Sequence, residues 1–222
     1  MNIRINLKVF LFLVLLIFTG QMEIYLLIMF FALLHEIGHI LAGLILGLRP
    51  EAVSIIPSGF CVKFKTNYDD YNVKIKNASK ISLKKLIIAM AGPLVNVIIL
   101  IASYIYIEVT KNMTVFNFQI NEIIYSNFLI LIFNLLPIYP LDGGRILKEL
   151  FNMMYGIITS YELINKISNI TIILLTILTS IFILQYHNFA VIVVLTYLWL
   201  IVIKENRQYS LKKKYYNLLK QS

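Results

Sequence analysis

The chain has 222 residues, 59% of them hydrophobic and only 14% charged, more apolar surface than a soluble domain of this length can hide. Its single cysteine, Cys61, excludes an intramolecular disulfide and a Cys-rich zinc site. The formal charge of +9 would suit nucleic acid only if the basic residues gathered on one soluble face, and they do not.

About 20 apolar residues are needed to cross roughly 30 Å of hydrocarbon. Six candidate spans follow, at 8–20, 23–47, 85–107, 121–139, 167–184 and 189–203. Residues 1–20 also have the charge and apolar run of a signal peptide, but "FTGQM" is a poor cleavage site and a retained helix is the better reading. With the N-terminus in the cytoplasm, 19 of the 20 Lys and Arg fall on the inner side or at its helix ends, and Lys111 alone lies outside. That asymmetry satisfies the positive-inside rule. The expectation is an all-α polytopic membrane protein with six transmembrane helices, residues 1–203, and a basic cytoplasmic tail, 204–222. Both termini would be cytoplasmic, with the bilayer as partner and nucleic acid excluded.

The second span holds "LLHEIGHI", residues 33–40, and from Ile24 to Leu48 only Glu36 is acidic or basic apart from His35 and His39. Ionisable groups at membrane depth cost a few kcal/mol each and mark function by default. Helical residues i and i+4 share a face about 6 Å apart, so His35 and His39 can offer two nitrogens to one ion. Glu36 is turned about 100° away, beside the ion rather than on it, where a general base would stand. Gly38 leaves room for a neighbouring helix. His187, in the outer "QYHNF" turn, reads as a packing residue.

After this span, 52–66 ("AVSIIPSGFCVKFKT") alternates Val62, Phe64 and Thr66 with Lys63 and Lys65, a period-two strand pattern that predicts a short β hairpin at the inner face. The third span carries "MAGPLVN", in which Gly92 and Asn96 could make a close helix contact with a polar clasp. The fourth ends in "NLLPIYPLDGGR", residues 134–145. Pro137 and Pro140 break the helix there, and Gly143 and Gly144 permit a sharp turn that could fold Asp142 back toward the histidines. Asp142 is the candidate third ligand, with a helix N-cap as its alternative. Asn134 is either an interhelical hydrogen bonder or a polar group facing the reaction centre.

Taken in order, "HEIGH", "AGPLVN" and "NLLPIYPLDGGR" resemble the site-2 protease family of intramembrane zinc metalloproteases, and six spans without a PDZ insertion look most like the branch containing the stage IV sporulation protease FB. The resemblance implies a zinc endopeptidase acting on a membrane-tethered protein near the cytoplasmic face of a bacterial plasma membrane, with regulatory membrane proteins as further partners. It implies His35, His39 and Asp142 as zinc ligands, Glu36 as catalytic base, and Asn134, Asn96 and Pro140 as residues lining the site or touching substrate. The strand segment at 52–66 would receive the substrate in extended form. One departure is that 19 residues follow position 203, too few for the nucleotide-sensing CBS domain common in that branch. The competing function is a transition-metal transporter or sensor using the same ligands. Against it, the outer halves carry few titratable groups apart from Glu23, Glu108 and Glu122.

Overall fold

The computed structural model describes residues 2–5, 22–56, 59–65, 78–115, 118–186 and 190–221. The expected first span, 8–20, and His187 lie outside the described residues. The chain forms two compact units, Met1–Asn134 and Leu135–Ser222.

The first unit begins with strand β1 (Asn2–Ile5), followed by helix α1 (Met22–Ile45), strands β2 (Arg49–Ile56) and β3 (Gly59–Lys65) and helix α2 (Ala78–Thr110). A two-residue hairpin, β4 (Thr114–Val115) and β5 (Phe118–Gln119), leads into α3 (Ile120–Leu135). The expected hairpin at 52–66 is present, with Val53 opposite Val62 and Ser54 opposite Cys61 in antiparallel register. What the sequence pattern did not reveal is its third strand: β1 pairs parallel to β2, Ile3 against Val53. Four residues carry too little alternation to announce a strand, and only the partner edge defines it.

α1 and α2 are the packed pair of this unit, and each has two opposite faces. On α1, Leu26, Phe30, Leu33, Ile37, Leu41 and Leu44 stand exposed at three- and four-residue spacing. On α2 the same spacing exposes Leu83, Ile87, Met90, Leu94, Ile98 and Ile101. Between the helices it is the polar groups that are buried, His35, His39, Ser82 and Asn96 among them. Apolar stripes outside and polar groups inside are the arrangement that lipid, not water, stabilises. Lipid tails are as apolar as leucine, so helices in a bilayer are held by close packing and interhelical hydrogen bonds. Leu27, Phe31 and Ile130 form a small buried cluster, extended by Ile99, Phe118 and Ile123, that joins α1, α2 and α3.

The second unit comprises a turn at 136–141 and helices α4 (Asp142–Tyr155), α5 (Ile157–Tyr186) and α6 (Ala190–Gln221). α5 packs against both α4 and α6. Among the described residues its fully buried apolar side chains are Ile138, Ile164, Ile172 and Val202. Asn169 and Asn206 exchange reciprocal amide hydrogen bonds of 3.2 and 2.9 Å, and the Trp199 indole donates to Thr176 Oγ1 at 3.0 Å.

Three described helices, over Ile24–Ile45, Lys80–Thr110 and Ile157–Ile181, are long and apolar enough to cross a membrane, whereas Ile120–Leu135 is shorter. The chain is thus mostly helical, with six helices among the described residues, but they are not the six expected spans. α4 lies in the expected inner segment and is amphipathic, carrying Arg145, Lys148 and Glu149. α6 runs on through the expected tail to Gln221.

Close approach of α1 and α2 depends on Gly38. A β-carbon there would lie 2.7 Å from Val95 Cγ2 and 2.9 Å from the Ala91 carbonyl oxygen. The valine methyl could turn aside, but the backbone oxygen cannot. Gly38→Ala should therefore cost about 1–3 kcal/mol through overpacking, read as a lower thermal midpoint in detergent; an unchanged midpoint would mean that the helices do not need this contact.

Candidate metal centre

His35 and His39 lie one turn apart on α1, both 3% exposed, facing α2. His39 Nδ1 donates to the Ile88 carbonyl at 2.6 Å. A carbonyl oxygen only accepts, so that nitrogen carries the proton and in the neutral ring Nε2 carries the lone pair. His35 Nδ1 is hydrogen-bonded to Asn96 Oδ1 at 2.5 Å, which leaves its Nε2 in the same state. The two Nε2 atoms then face each other across 3.2 Å. Two lone pairs at that distance repel unless a cation lies between them. Two nitrogens each about 2.0–2.1 Å from a tetrahedral ion stand about 3.3 Å apart. The pair fits a metal ion better than it fits any hydrogen bond between the rings.

Gly92 on α2 supplies the space. A β-carbon at this position would come within 2.6 Å of His35 Nε2 and nearer still to His39 Nε2. The sequence suggested Gly92 as a helix-contact residue; its contact is with the Nε2 atoms of the two imidazoles. Asn96 passes its amide on, Nδ2 donating to Asn127 Oδ1 on α3 at 3.0 Å, and Asn127 Nδ2 donates to the Ile123 carbonyl at 2.9 Å. Sequence reading overlooked Asn127. The available signal was a third buried amide on an apolar span, seven residues before Asn134 and on the same helix face. Glu36 is half-buried beside His35 on α1. Asn134, also half-buried, donates to the Ile130 carbonyl of its own helix at 3.1 Å.

Asp142 and Pro140 belong to the second unit. Asp142 is the first residue of α4, 4% exposed, and follows the N-cap, which is Leu141. It is therefore not the cap that was its alternative. A carboxylate in the first turn is favoured by the helix dipole, and Arg145 Nη1 lies 3.5 Å from Asp142 Oδ1. Gly143 and Gly144 do not make the expected sharp turn; they are helical, and neither has positive φ. Their requirement is steric, since β-carbons would fall 2.6 Å from the Leu136 and Ile138 carbonyl oxygens respectively. Only glycine lets α4 begin directly against the turn that precedes it.

That turn is tied down at Tyr139, which precedes Pro140 by a cis peptide bond. Its N–H donates to Ser168 Oγ on α5 at 3.1 Å. Lys148 Nζ sits 5.2 Å from the Tyr139 ring centre, 4.3 Å from that of Tyr161 and 3.5 Å from Glu149 Oε1. Burial pulls the Lys148 ammonium toward neutrality, but Tyr139, Tyr161 and Glu149 together outweigh it and hold it above its ordinary range.

Comparison with known proteins agrees with this reading. The family model described as Peptidase family M50 matches residues 23–122 and 106–178. Stage IV sporulation protein FB of Bacillus subtilis is 28% identical over 134 residues, 60% of this chain and 42% of that protein. A zinc metalloprotease of Methanocaldococcus jannaschii is 26% identical over 135 residues, 59% of this chain and 34% of the relative. The chain thus aligns with less than half the length of either. The solved site-2 protease from Methanocaldococcus jannaschii has the same fold at a TM-score of 0.63, with 24% identity over 91% of this chain and 89% of that one.

Two outcomes follow from the geometry. Gly92→Ala should leave the helix content intact while metal content falls by at least about tenfold, because the new methyl occupies the space between the nitrogens; full metal occupancy would place the ion elsewhere. Lys148→Met should cost about 1–2 kcal/mol of stability at pH 8, read as a lower thermal midpoint, by removing the cation from its rings and carboxylate. A raised lysine pKa contributes stability that is complete below the unfolded value and is lost as pH climbs through the folded one. The gap between wild type and variant should therefore close only above the ordinary value of 10.5.

Proposed function

The chain belongs to peptidase family M50, and from that premise and the paired imidazoles we infer that it is an intramembrane metalloendopeptidase. It hydrolyses a peptide bond of a membrane-tethered protein near the cytoplasmic face. The observation that carries this reading is the 3.2 Å approach of two Nε2 lone pairs on an apolar helix, with a carboxylate on the adjacent residue. The proposed topology places both termini in the cytoplasm, as the distribution of Lys and Arg requires.

His35 and His39 would hold the ion, with Asp142 as third protein ligand, a donor set that suits zinc while leaving a position open. When bound there, the metal supplies Lewis acidity, polarising a peptide carbonyl and making water a better acid. Glu36, next to a ligand but directed off the ligand face, takes a proton from water on a carboxylate oxygen and returns it to the departing amine. Asn96 orients His35. Asn134 and Pro140 are proposed to contact the substrate, whose backbone must leave its helix to expose a carbonyl. The hairpin β2–β3 offers an edge on which such an extended segment would pair.

Glu36→Gln should retain wild-type zinc per chain and lose hydrolysis of a membrane-tethered substrate by about 10²-fold or more; turnover surviving at wild-type rate would remove Glu36 from the proton-transfer role. Detergent-purified wild type should carry close to one zinc per chain, and Asp142→Ala should carry much less. Zinc retained in full by Asp142→Ala would assign the third ligand to another residue. Wild-type protein that takes up no transition metal after reconstitution would overturn the protease reading.

A further inference from the structure

We infer that Asn127 is a positioning residue for the metal centre: acting through Asn96, it decides which nitrogen of His35 carries the lone pair that can bind an ion. The inference rests on the reading of His35 as a ligand and adds to it a residue that touches neither ion nor substrate.

The polarity of the chain of hydrogen bonds is set from its far end. The Ile123 main-chain carbonyl can only accept, so Asn127 must turn Nδ2 toward it, at 2.9 Å. Asn127 Oδ1 is then left facing Asn96, whose Nδ2 donates to it at 3.0 Å. Asn96 in turn presents Oδ1 to His35 Nδ1 at 2.5 Å. That oxygen has no proton to give, so Nδ1–H must donate, and Nε2 keeps its lone pair. Reversing Asn127 alone would set N–H against the N–H of Asn96, and reversing Asn96 alone would set its oxygen against Asn127 Oδ1. Both asparagines are 0% exposed, so bulk water offers no substitute partner.

The two histidines thus reach the same tautomer by different means. His39 is fixed in one step by a backbone carbonyl, Ile88, which side-chain substitution does not remove. His35 depends on two side chains on two other helices, and so its tautomer is open to mutation. With Asn127 apolar, Asn96 can rotate and offer Nδ2 to His35. The favoured tautomer then carries its proton on Nε2, the atom that faces His39.

The test is zinc affinity by chelator competition on the full-length protein in detergent, together with ¹⁵N NMR of labelled histidine to read protonation at His35 Nδ1. Asn127→Leu, close in size but without an acceptor, should weaken zinc binding by about 10–100-fold and shift the proton of His35 to Nε2 in the metal-free protein. Asn127→Asp is the conservative rescue. Ionised or protonated, its carboxyl keeps an oxygen for Asn96 Nδ2, and affinity should stay within about threefold of wild type. Ser126 controls for local packing: its Oγ is buried without a hydrogen-bond partner among the described residues, and Ser126→Ala should not move the zinc affinity.

Folded Asn127→Leu with wild-type affinity and an unmoved His35 proton would overturn the proposal. So would equal losses in Asn127→Leu and Ser126→Ala, which would indicate packing rather than hydrogen-bond polarity. Should Asn127→Leu fail to fold, wild type alone still decides, because a His35 Nδ1 without a proton refutes the relay. The two readings also fail separately. Zinc held by wild type with no effect of Asn127→Leu leaves the metalloprotease and removes the relay. A His35 proton that moves in Asn127→Leu while wild type binds no metal leaves the relay and removes the metalloprotease.

Discussion

Inside an apolar helix pair, every polar group must find its partner within the protein, because lipid offers none. The first unit is organised by that requirement. Two imidazoles on α1 can be buried only if each Nδ1 proton is accepted, and α2 supplies both acceptors: the Ile88 carbonyl one turn before Gly92, and the Asn96 amide one turn after it. With both Nδ1 atoms engaged, the two Nε2 atoms meet at 3.2 Å. The unfavourable meeting of two lone pairs is therefore a consequence of satisfying the rest of each ring. It is also what makes the pair receptive to a cation.

The same constraint explains the glycines. Hydrogen bonds near 2.5 Å across a helix pair require the backbones to approach closely, and Gly38 and Gly92 are the positions at which a β-carbon would meet a backbone oxygen or a ligand nitrogen. In water such a pair would be held by removing apolar surface from solvent. Here most of the large apolar residues form the outward stripes, and the buried face combines small and polar side chains with a few apolar ones such as Leu27, Phe31 and Ile88. Packing and polar satisfaction are thus one structural problem in this unit.

The second unit solves a different problem: presenting a carboxylate at the start of a helix without a flexible approach. Gly143 and Gly144 let α4 abut the carbonyls of the preceding turn, and Tyr139 ties that turn to α5 through Ser168 and to α4 through Lys148. Reading these glycines as a sharp turn was reasonable from a Gly-Gly pair after two prolines. The helical backbone shows that they are needed for want of a side chain, not for freedom of φ.

Much was legible beforehand because it depends on local repeats. The i, i+4 spacing alone puts His35 and His39 on one face with Glu36 off it, the run of apolar residues marks the long helices, and alternation at 62–66 announces a strand. The parts that stayed hidden depend on what lies opposite. β1 is a strand only because β2 offers it an edge; α4 is a short amphipathic helix where length rules saw an inner segment; Asn127 matters only because Asn96 faces it. The sequence by itself determined which groups the membrane-embedded helices must satisfy, since residue type and helical period fix donors, acceptors and faces. Tertiary structure alone decided which acceptor meets which imidazole nitrogen, and hence which nitrogens carry the lone pair, because a tautomer is set by the partner across the interface and not by the chain that carries the ring.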